Sequence, residues 1–187
     1  GDGTNPLLAK IYQTTLPETA IAQPAPALPP VLNLREFLKP EIDAGLVAVR
    51  DGADRSVVTL KGDGLFASGS TVARESYAPV IDRVAQAMNN VSGKIQIVGY
   101  SDNVPMRSAR FASNYELSLE RARSVQSLLQ KQLNQPARVK AEGRGEMNPV
   151  APNNSAENRA RNRRVEITLL VSPDNIAAEL NGLPQGN

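Results

Sequence analysis

The sequence contains no cysteine, no histidine and no tryptophan, and aromatic residues make up only 4% of its 187 positions. Without thiols and imidazoles it excludes zinc fingers, haem ligation, disulfide bonds, and catalysis by a cysteine nucleophile or a histidine base. We therefore expect no metal ion, no cofactor and no catalytic residue.

The sequence also lacks a large excess of positive or negative charge. Lysine and arginine number 21 against 19 aspartates and glutamates, which gives a formal net charge of +2. This excess is too small to hold a phosphate backbone, and the few aromatic side chains offer little surface for stacking bases, so we expect no nucleic-acid partner. No run of about 18 apolar residues is present either, so we expect no part of this sequence to span a bilayer.

Proline is concentrated near the N-terminus, where residues 1–31 hold six of the 14 prolines. Such a density excludes a continuous helix or a central strand. We expect residues 1–31 to form an extended, semi-rigid spacer with polyproline character. A ligand for a proline-binding domain is the alternative interpretation of this segment.

Beyond residue 31 the hydrophobic periodicity predicts alternating helices and strands. The glycine-rich segment 62–70 lacks the Gly-Lys-Ser/Thr ending of a phosphate loop, so we expect no nucleotide there. Alternation of this kind indicates an α/β fold, an α+β sandwich with helices packed on a mixed sheet. The predicted elements are a helix over 34–42 that Pro40 interrupts or restarts, a hairpin of strands 46–50 and 56–60, a loop over 62–70, a helix over 73–90, a strand over 94–99, a helix over 114–133, a strand over 138–143, a short helical turn, a strand over 163–171, and a short helix near 176–180.

Two clusters of polar residues lie at the ends of predicted elements. Asp102 follows the strand over 94–99, where a carboxylate is well placed to bind a ligand, although it can equally start a turn or cap a helix. Helical spacing places Asn114, Leu117 and Arg121 on one helix face, which an ordinary solvated surface also explains.

A third cluster is basic, because over residues 138–164 the basic side chains outnumber the acidic ones by four. Such a run could bind phosphate. However, Arg163 and Arg164 lead into a strand, so their side chains point to opposite faces and only one can point inward to a carboxylate. That pair would be either part of a site or a structural ion pair. No cluster joins a nucleophile to a base, so the residues favour a binding module over an enzyme.

Four stretches occur in the order in which the OmpA-like peptidoglycan-binding domain carries them, and they resemble that domain. The resemblance spans about residues 55–171. The stretches are Gly-Tyr-Ser-Asp-Asn-Val-Pro at 99–105, Arg-Phe-Ala-Ser-Asn-Tyr-Glu-Leu-Ser-Leu-Glu-Arg-Ala at 110–122, Gly-Arg-Gly-Glu at 143–146 with Pro149, and Asn-Arg-Ala-Arg-Asn-Arg-Arg-Val-Glu-Ile at 158–167.

Three further stretches, at 34–42, 45–49 and 62–70, resemble the periplasmic part of the long form of TssL, an inner-membrane component of the type VI secretion system. In that family a cytoplasmic helical domain and one transmembrane helix precede the segment. The resemblance therefore implies membrane attachment only through a segment absent from this sequence. The flagellar stator protein MotB is the nearest competitor, since it has a similar Arg-Phe-x-Ser-Asn-x-Glu-Leu-Ser stretch.

The resemblance implies a β-α-β-α-β core and a noncatalytic module that binds the diaminopimelate-containing stem peptide of peptidoglycan. Matched motif by motif, Asp102 and Arg121 hold the ammonium and carboxylate ends of that amino acid, and Asn114 lies between them. A guanidinium binds a carboxylate in bidentate fashion, which suits this division of roles. The expected ligand-binding set is Phe66, Ser68, Ser101, Asp102, Asn114, Leu117, Arg121 and one or both of Arg163 and Arg164.

The resemblance also implies how the chain is organised and where it works. We expect a periplasmic domain of a Gram-negative inner-membrane protein, with peptidoglycan and other subunits of the type VI secretion membrane complex as partners. The expected segments are a proline-rich linker at 1–31, a lead-in helix and first strand at 32–54, the OmpA-like domain at 55–173, and a C-terminal tail at 174–187.

The sequence departs from the family at two positions of its motifs. Tyr100 stands where the family usually has histidine, and Ala67 stands where it usually has aspartate. These departures keep one alternative open, a periplasmic scaffold that contacts secretion subunits with little or no wall binding. The stretch shared with MotB keeps open a second, a MotB-like flagellar stator anchor. A peptidoglycan hydrolase lacks a suitable set of catalytic residues.

Overall fold

A computed structural model describes residues 33–172, which form a five-stranded sheet with helices packed against it. The predicted spacer at 1–31 and the predicted helix near 176–180 lie outside the described residues. In chain order the elements are α1 (Leu34–Phe37), α2 (Lys39–Asp43), β1 (Ala48–Asp51), β2 (Arg55–Lys61), α3 (Gly62–Leu65), α4 (Ala78–Asn89), β3 (Gly93–Tyr100), α5 (Asn114–Gln132), β4 (Val139–Gly143), α6 (Ala156–Asn162) and β5 (Arg164–Val171).

The sheet is mixed, with the strand order β1-β2-β5-β3-β4. Strands β3 and β4 are parallel, and every other neighbouring pair is antiparallel. The carboxyl ends of β2, β3 and β4 therefore meet the amino end of β5 at one edge of the sheet. The predicted fold class, helices on a mixed α/β sheet, is confirmed, and this edge collects the polar ends of several elements.

One hydrophobic core joins the sheet to α4 and α5. In β5 the buried residues alternate with half-buried ones, as expected for a strand with one face under helices. The lead-in segment contributes to the same core through α1 and β1, so it packs as part of one body with the strands that follow. The buried members include Leu34, Leu38 and Val49 from the lead-in, Ile81, Val84 and Met88 from α4, Ala122, Val125 and Leu129 from α5, and Val165, Ile167 and Leu169 from β5.

The helix predicted over 73–90 begins later than expected. Ala73 forms an isolated antiparallel bridge with Phe66, and Glu75–Tyr77 form a 3-10 turn before α4 starts at Ala78. Pro79 occupies the first turn of α4, where its missing N–H costs no hydrogen bond. The residues before Pro79 therefore form a loop and a 3-10 turn, and they do not extend α4.

Two further boundaries differ from the predicted ones. The segment expected to be entirely loop begins with one helical turn, α3, and the N–H of Gly62 donates to the Arg163 carbonyl at 2.7 Å. The last strand starts at Arg164, and Arg163 stands outside it at the end of α6. Because Arg163 lies outside the strand, the rule that neighbouring strand side chains point to opposite faces does not apply to it.

Glycines allow α5 to lie unusually close to the sheet. A Cβ atom placed on Gly99 would lie 2.1 Å from the Ser118 carbonyl oxygen, and one on Gly143 would lie 2.5 Å from the Leu119 nitrogen. Contacts this short leave no room for a side chain. The two glycines therefore bring the first turns of α5 down onto the carboxyl ends of β3 and β4.

The change Gly143→Ala should lower the free energy of unfolding by about 1–3 kcal/mol, because the added methyl group must push α5 away from β4. Urea unfolding measures this difference. Gly52→Ala, in the turn between β1 and β2, is the matched control, since its nearest atom is the Arg55 carbonyl oxygen at 3.3 Å and a small adjustment relieves the contact. A Gly143→Ala protein as stable as the wild type would contradict this account of the packing.

Candidate ligand-binding cavity

A cavity of about 550 Å³ opens at the edge of the sheet where these strand ends meet. Its walls come from α3 and the loop after it, the loop after β3, the first two turns of α5, and the residue before β5. Seven of the predicted site residues line it, whereas Ser101 and Arg164 do not. The lining residues are Asp63, Phe66, Ser68, Gly69, Arg74, Asp102, Val104, Pro105, Met106, Asn114, Leu117, Arg121 and Arg163.

One wall of the cavity carries a guanidinium held between two carboxylates. Arg163 donates from Nε and Nη2 to the two carboxylate oxygens of Asp63, both at 2.8 Å, and from Nη1 to Oδ2 of Asp102. The hydrogen bonds from Arg163 lower the pKa of Asp63, and the same bonds raise the pKa of Arg163. This Asp63–Arg163–Asp102 cluster has a net charge of minus one, so it presents a negative wall.

The backbone around Asp102 is fixed by its neighbours. Its Oδ1 accepts from the Val104 N–H at 3.0 Å, and its carbonyl accepts from the Ser101 hydroxyl at 2.8 Å. Asn114, the first residue of α5, donates through Nδ2 to the Val104 carbonyl at 2.8 Å and ties the helix to this loop. The Ser101 hydroxyl thus holds the backbone of Asp102, and Ser101 does not line the cavity.

The cavity is also lined by Arg121, which is only 8% exposed. Its Nε donates to the Ser70 carbonyl at 2.8 Å, its Nη2 donates to the Ala67 carbonyl at 3.3 Å, and its guanidinium carbon lies 4.9 Å from the Phe66 ring centroid. Burial lowers its pKa, but a guanidinium remains charged at any physiological pH.

Arg121 is therefore a buried cation whose direct partners are neutral. Between residues 33 and 172 no carboxylate lies within 4.0 Å of it, and its Nη1 group makes no hydrogen bond to the protein. A buried charge normally has a counterion, since leaving it unpaired costs several kcal/mol. The carboxylates of Asp63 and Asp102 act on Arg121 only through space, where they partly offset the lowering of its pKa by burial. An anion that enters the cavity would be its first directly bound counterion.

Arg164 has a structural environment away from the cavity. Its guanidinium carbon lies 3.8 Å from the Tyr100 ring centroid, and its Nε donates to Glu166 at 2.7 Å. Its two Nη groups donate to the carbonyl oxygens of Asn162 and Asn148. Of the two adjacent arginines, Arg163 is the one that faces the cavity. Tyr100 also lies under Arg164, so the departure from the family at that position does not change the cavity wall.

Sequence reasoning missed two charged residues of the cavity, Asp63 and Arg74. The pairing of Lys61 with Arg164 places Asp63 beside Arg163, but this register appears only when β2 and β5 are known to be neighbours. The periodicity places Arg74 in the helix predicted over 73–90, whereas in the structure it lies in the loop before α4 and lines the cavity. Its own stretch of sequence carries no signal for that position.

Neither a metal site nor a membrane-spanning helix is found in the described part of the chain. Within residues 33–172 no three metal-ligating side chains converge. Nor does any helix of this region have the length and apolarity to cross a bilayer. The cavity is lined by charged side chains of both signs, with aspartates and arginines contributed by several elements.

Comparison with known proteins assigns the family. The OmpA family matches residues 65–163, and the chain belongs to this family, as its motifs predicted. OmpA-like domains and the anchors related to them are noncatalytic structural modules.

Similarity extends to curated relatives and solved structures. The structure of the cell wall anchor of the T6SS (type VI secretion system) from Pseudomonas aeruginosa is 46% identical, with a TM-score of 0.72, and the match covers 76% of this chain and 99% of that one. A putative MotB-like protein from Desulfovibrio vulgaris is 29% identical, with a TM-score of 0.69, over 76% and 90% of the two chains. Motility protein B from Bacillus subtilis is 36% identical over 61% of this chain and 44% of its own length. The chain thus spans less than half of the length of that curated relative.

The change Asp63→Asn tests the ion pair that forms the negative wall. The folded-state pKa of Asp63 lies below its ordinary value of 3.8, so its pairing with Arg163 stabilises the fold above about pH 4, and this contribution is lost as the pH falls through the folded pKa. The side chain of Asp63 is 56% exposed, so we expect the wild type to exceed the variant by less than about 1 kcal/mol at pH 7.

Urea unfolding at pH 7 and at pH 3 measures this difference, and an NMR titration of the Asp63 carboxyl carbon measures the pKa directly. The difference between the two proteins should shrink at the lower pH. A titration midpoint at or above 3.8 would show that Arg163 does not hold the carboxylate in solution.

Proposed function

We propose that this chain is a noncatalytic peptidoglycan-binding module, and that it anchors an inner-membrane component of a type VI secretion system to the cell wall. In this proposal the ligand is the diaminopimelate residue of the stem peptide, and the module works in the periplasm. The observation that carries the proposal is the arrangement of charge in the cavity. A net negative cluster faces a buried guanidinium that has no carboxylate partner in the described part of the chain.

The chemistry of the ligand explains why this arrangement suits it. The side chain of diaminopimelate ends in an ammonium and a carboxylate on one carbon, so it needs an anion and a cation at a fixed separation. The carboxylate of Asp102 accepts hydrogen bonds from the ammonium, because each of its oxygens keeps a lone pair that Arg163 and Val104 do not use. Arg121 binds the carboxylate through its Nη1 group, and a charge-assisted bond of this kind is among the stronger hydrogen bonds in proteins.

Asp63 contributes to the binding of the ammonium without contacting it. Without Asp63, the pair of Asp102 and Arg163 would be electrically neutral and would attract a cation weakly. With Asp63, the cluster keeps one negative charge for the ligand. The departure at Ala67 therefore leaves a cavity that still contains two carboxylates.

The similar proteins support a role in a secretion system over a role in a flagellar stator. The chain is 46% identical to the cell wall anchor of the T6SS from Pseudomonas aeruginosa and 29% identical to the putative MotB-like protein, at equal coverage of this chain. Both similarities are consistent with wall anchoring. The proposal also includes contacts with other subunits of the type VI secretion membrane complex. It assigns no residue of this chain to those contacts.

The changes Asp102→Asn and Arg121→Gln should each abolish most of the retention of the protein by purified, insoluble peptidoglycan. A lost charge-assisted hydrogen bond costs about 1.5–3 kcal/mol, which is about a 10- to 100-fold loss of affinity. Sedimentation with purified wall material measures the bound fraction. Thermal unfolding of each variant shows whether a loss reflects the site or the fold, because Arg121 also holds the loop at Ala67 and Ser70.

Two charge-matched variants serve as controls. Arg123→Gln lies on α5 with a side chain that is 56% exposed, and Glu157→Gln lies on the exposed surface of α6; neither residue lines the cavity. Both should sediment with the wall as the wild type does. A folded wild-type protein that stays in the supernatant at low and moderate salt would overturn the proposal and favour the scaffold alternative.

A further inference from the structure

Arg74 is a third arginine of the cavity that the proposed binding of diaminopimelate does not use. It lies on the loop between α3 and α4, it lines the cavity, and its side chain is exposed. Among residues 33–172 no side chain or carbonyl accepts a hydrogen bond from its guanidinium, and no carboxylate pairs with it.

The loop that carries Arg74 has a fixed backbone. The Arg74 N–H donates to the Leu65 carbonyl at 2.8 Å, and the neighbouring residue Ala73 bridges to Phe66. Ser70 in the same loop is held twice, since its carbonyl accepts from Arg121 and its hydroxyl accepts from the Val72 N–H at 3.0 Å. A loop held at both ends and in the middle keeps the base of the Arg74 side chain in place at the rim of the cavity.

The charges of the cavity leave one cation unmatched. Three arginines and two aspartates line it, an excess of one positive charge. The cluster of Asp63, Arg163 and Asp102 matches an ammonium, and Arg121 matches a carboxylate. A zwitterionic amino acid therefore fills the cavity without changing its net charge, and the charge of Arg74 remains.

We propose that Arg74 binds a second carboxylate of the same stem peptide, so that the cavity recognises a ligand with two carboxylates and one ammonium. This inference rests on the proposed function and extends it from one amino acid to its peptide context. Two carboxylates of the stem peptide are near the diaminopimelate side chain in the covalent structure: the α-carboxylate of the γ-linked glutamate before it, and the main-chain carboxylate of diaminopimelate itself. Both present the same chemistry to a guanidinium.

Isothermal titration calorimetry with synthetic L-alanyl-γ-D-glutamyl-meso-diaminopimelate tests the proposal. Four peptides are compared: the free form, a form amidated at the glutamate, a form amidated at the main-chain carboxylate of diaminopimelate, and a form amidated at both. The zwitterionic side chain is the same in all four. Each peptide is titrated into the wild type, Arg74→Gln and a distant charge-matched control, Arg50→Gln, whose side chain lies on edge strand β1.

The wild type should bind the free peptide about fivefold more tightly than the doubly amidated one, the upper range for an exposed ion pair. One of the two singly amidated forms should lose the whole difference and so identify which carboxylate Arg74 binds. Arg74→Gln should bind all four peptides alike, with the affinity of the wild type for the doubly amidated form. Arg50→Gln should behave as the wild type does.

Equal affinity of the wild type for all four peptides, or an equal preference in Arg74→Gln, would overturn the inference. Asp102→Asn separates this failure from failure of the proposed function. If Asp102→Asn weakens the binding of every peptide while amidation has no effect, the diaminopimelate site stands and the role of Arg74 falls. If no peptide binds the wild type, both fall together.

Discussion

The ion pairs of Arg163 with Asp63 and Asp102 are the interaction on which the rest of the site depends. They join three separate parts of the chain: the turn after β2, the loop after β3 and the residue before β5. The sheet brings these parts to one edge because β5 lies antiparallel between β2 and β3. One guanidinium thus fixes two carboxylates in place and leaves a single negative charge facing the cavity.

The second constraint is the burial of Arg121 without a carboxylate. Burying a cation opposes folding. The carbonyl oxygens of Ala67 and Ser70, the Phe66 ring, and the through-space attraction of Asp63 and Asp102 offset part of that cost. The same contacts hold the loop that forms the rim. Close approach of α5 at Gly99 and Gly143 holds the helix that carries Arg121 against the strand ends, and Arg121 lines the same cavity as the Asp63–Arg163–Asp102 cluster. A ligand with opposite charges on one carbon relieves both walls at once.

Much of the fold could be predicted from periodicity, because α4 and α5 each bury one apolar stripe and β5 alternates buried with half-buried residues. Asp102, Asn114 and Arg121 could be predicted from the motifs in which they stand. The choice between Arg163 and Arg164 could not, since it depends on where α6 ends and β5 begins. Asp63 and Arg74 enter the cavity through strand pairing and through a loop bridge, both of which join residues distant in sequence. Long-range pairing of this kind leaves no local pattern.

The central claim is that the facing charges of the cavity hold the two ends of the diaminopimelate side chain. A crystal structure of the protein with a diaminopimelate-containing tripeptide tests it most directly. We expect the side-chain ammonium nitrogen within about 3 Å of the Asp102 carboxylate and the adjacent carboxylate on Nη1 of Arg121. A peptide bound elsewhere, or bound here with these two groups reversed or away from both residues, would contradict it.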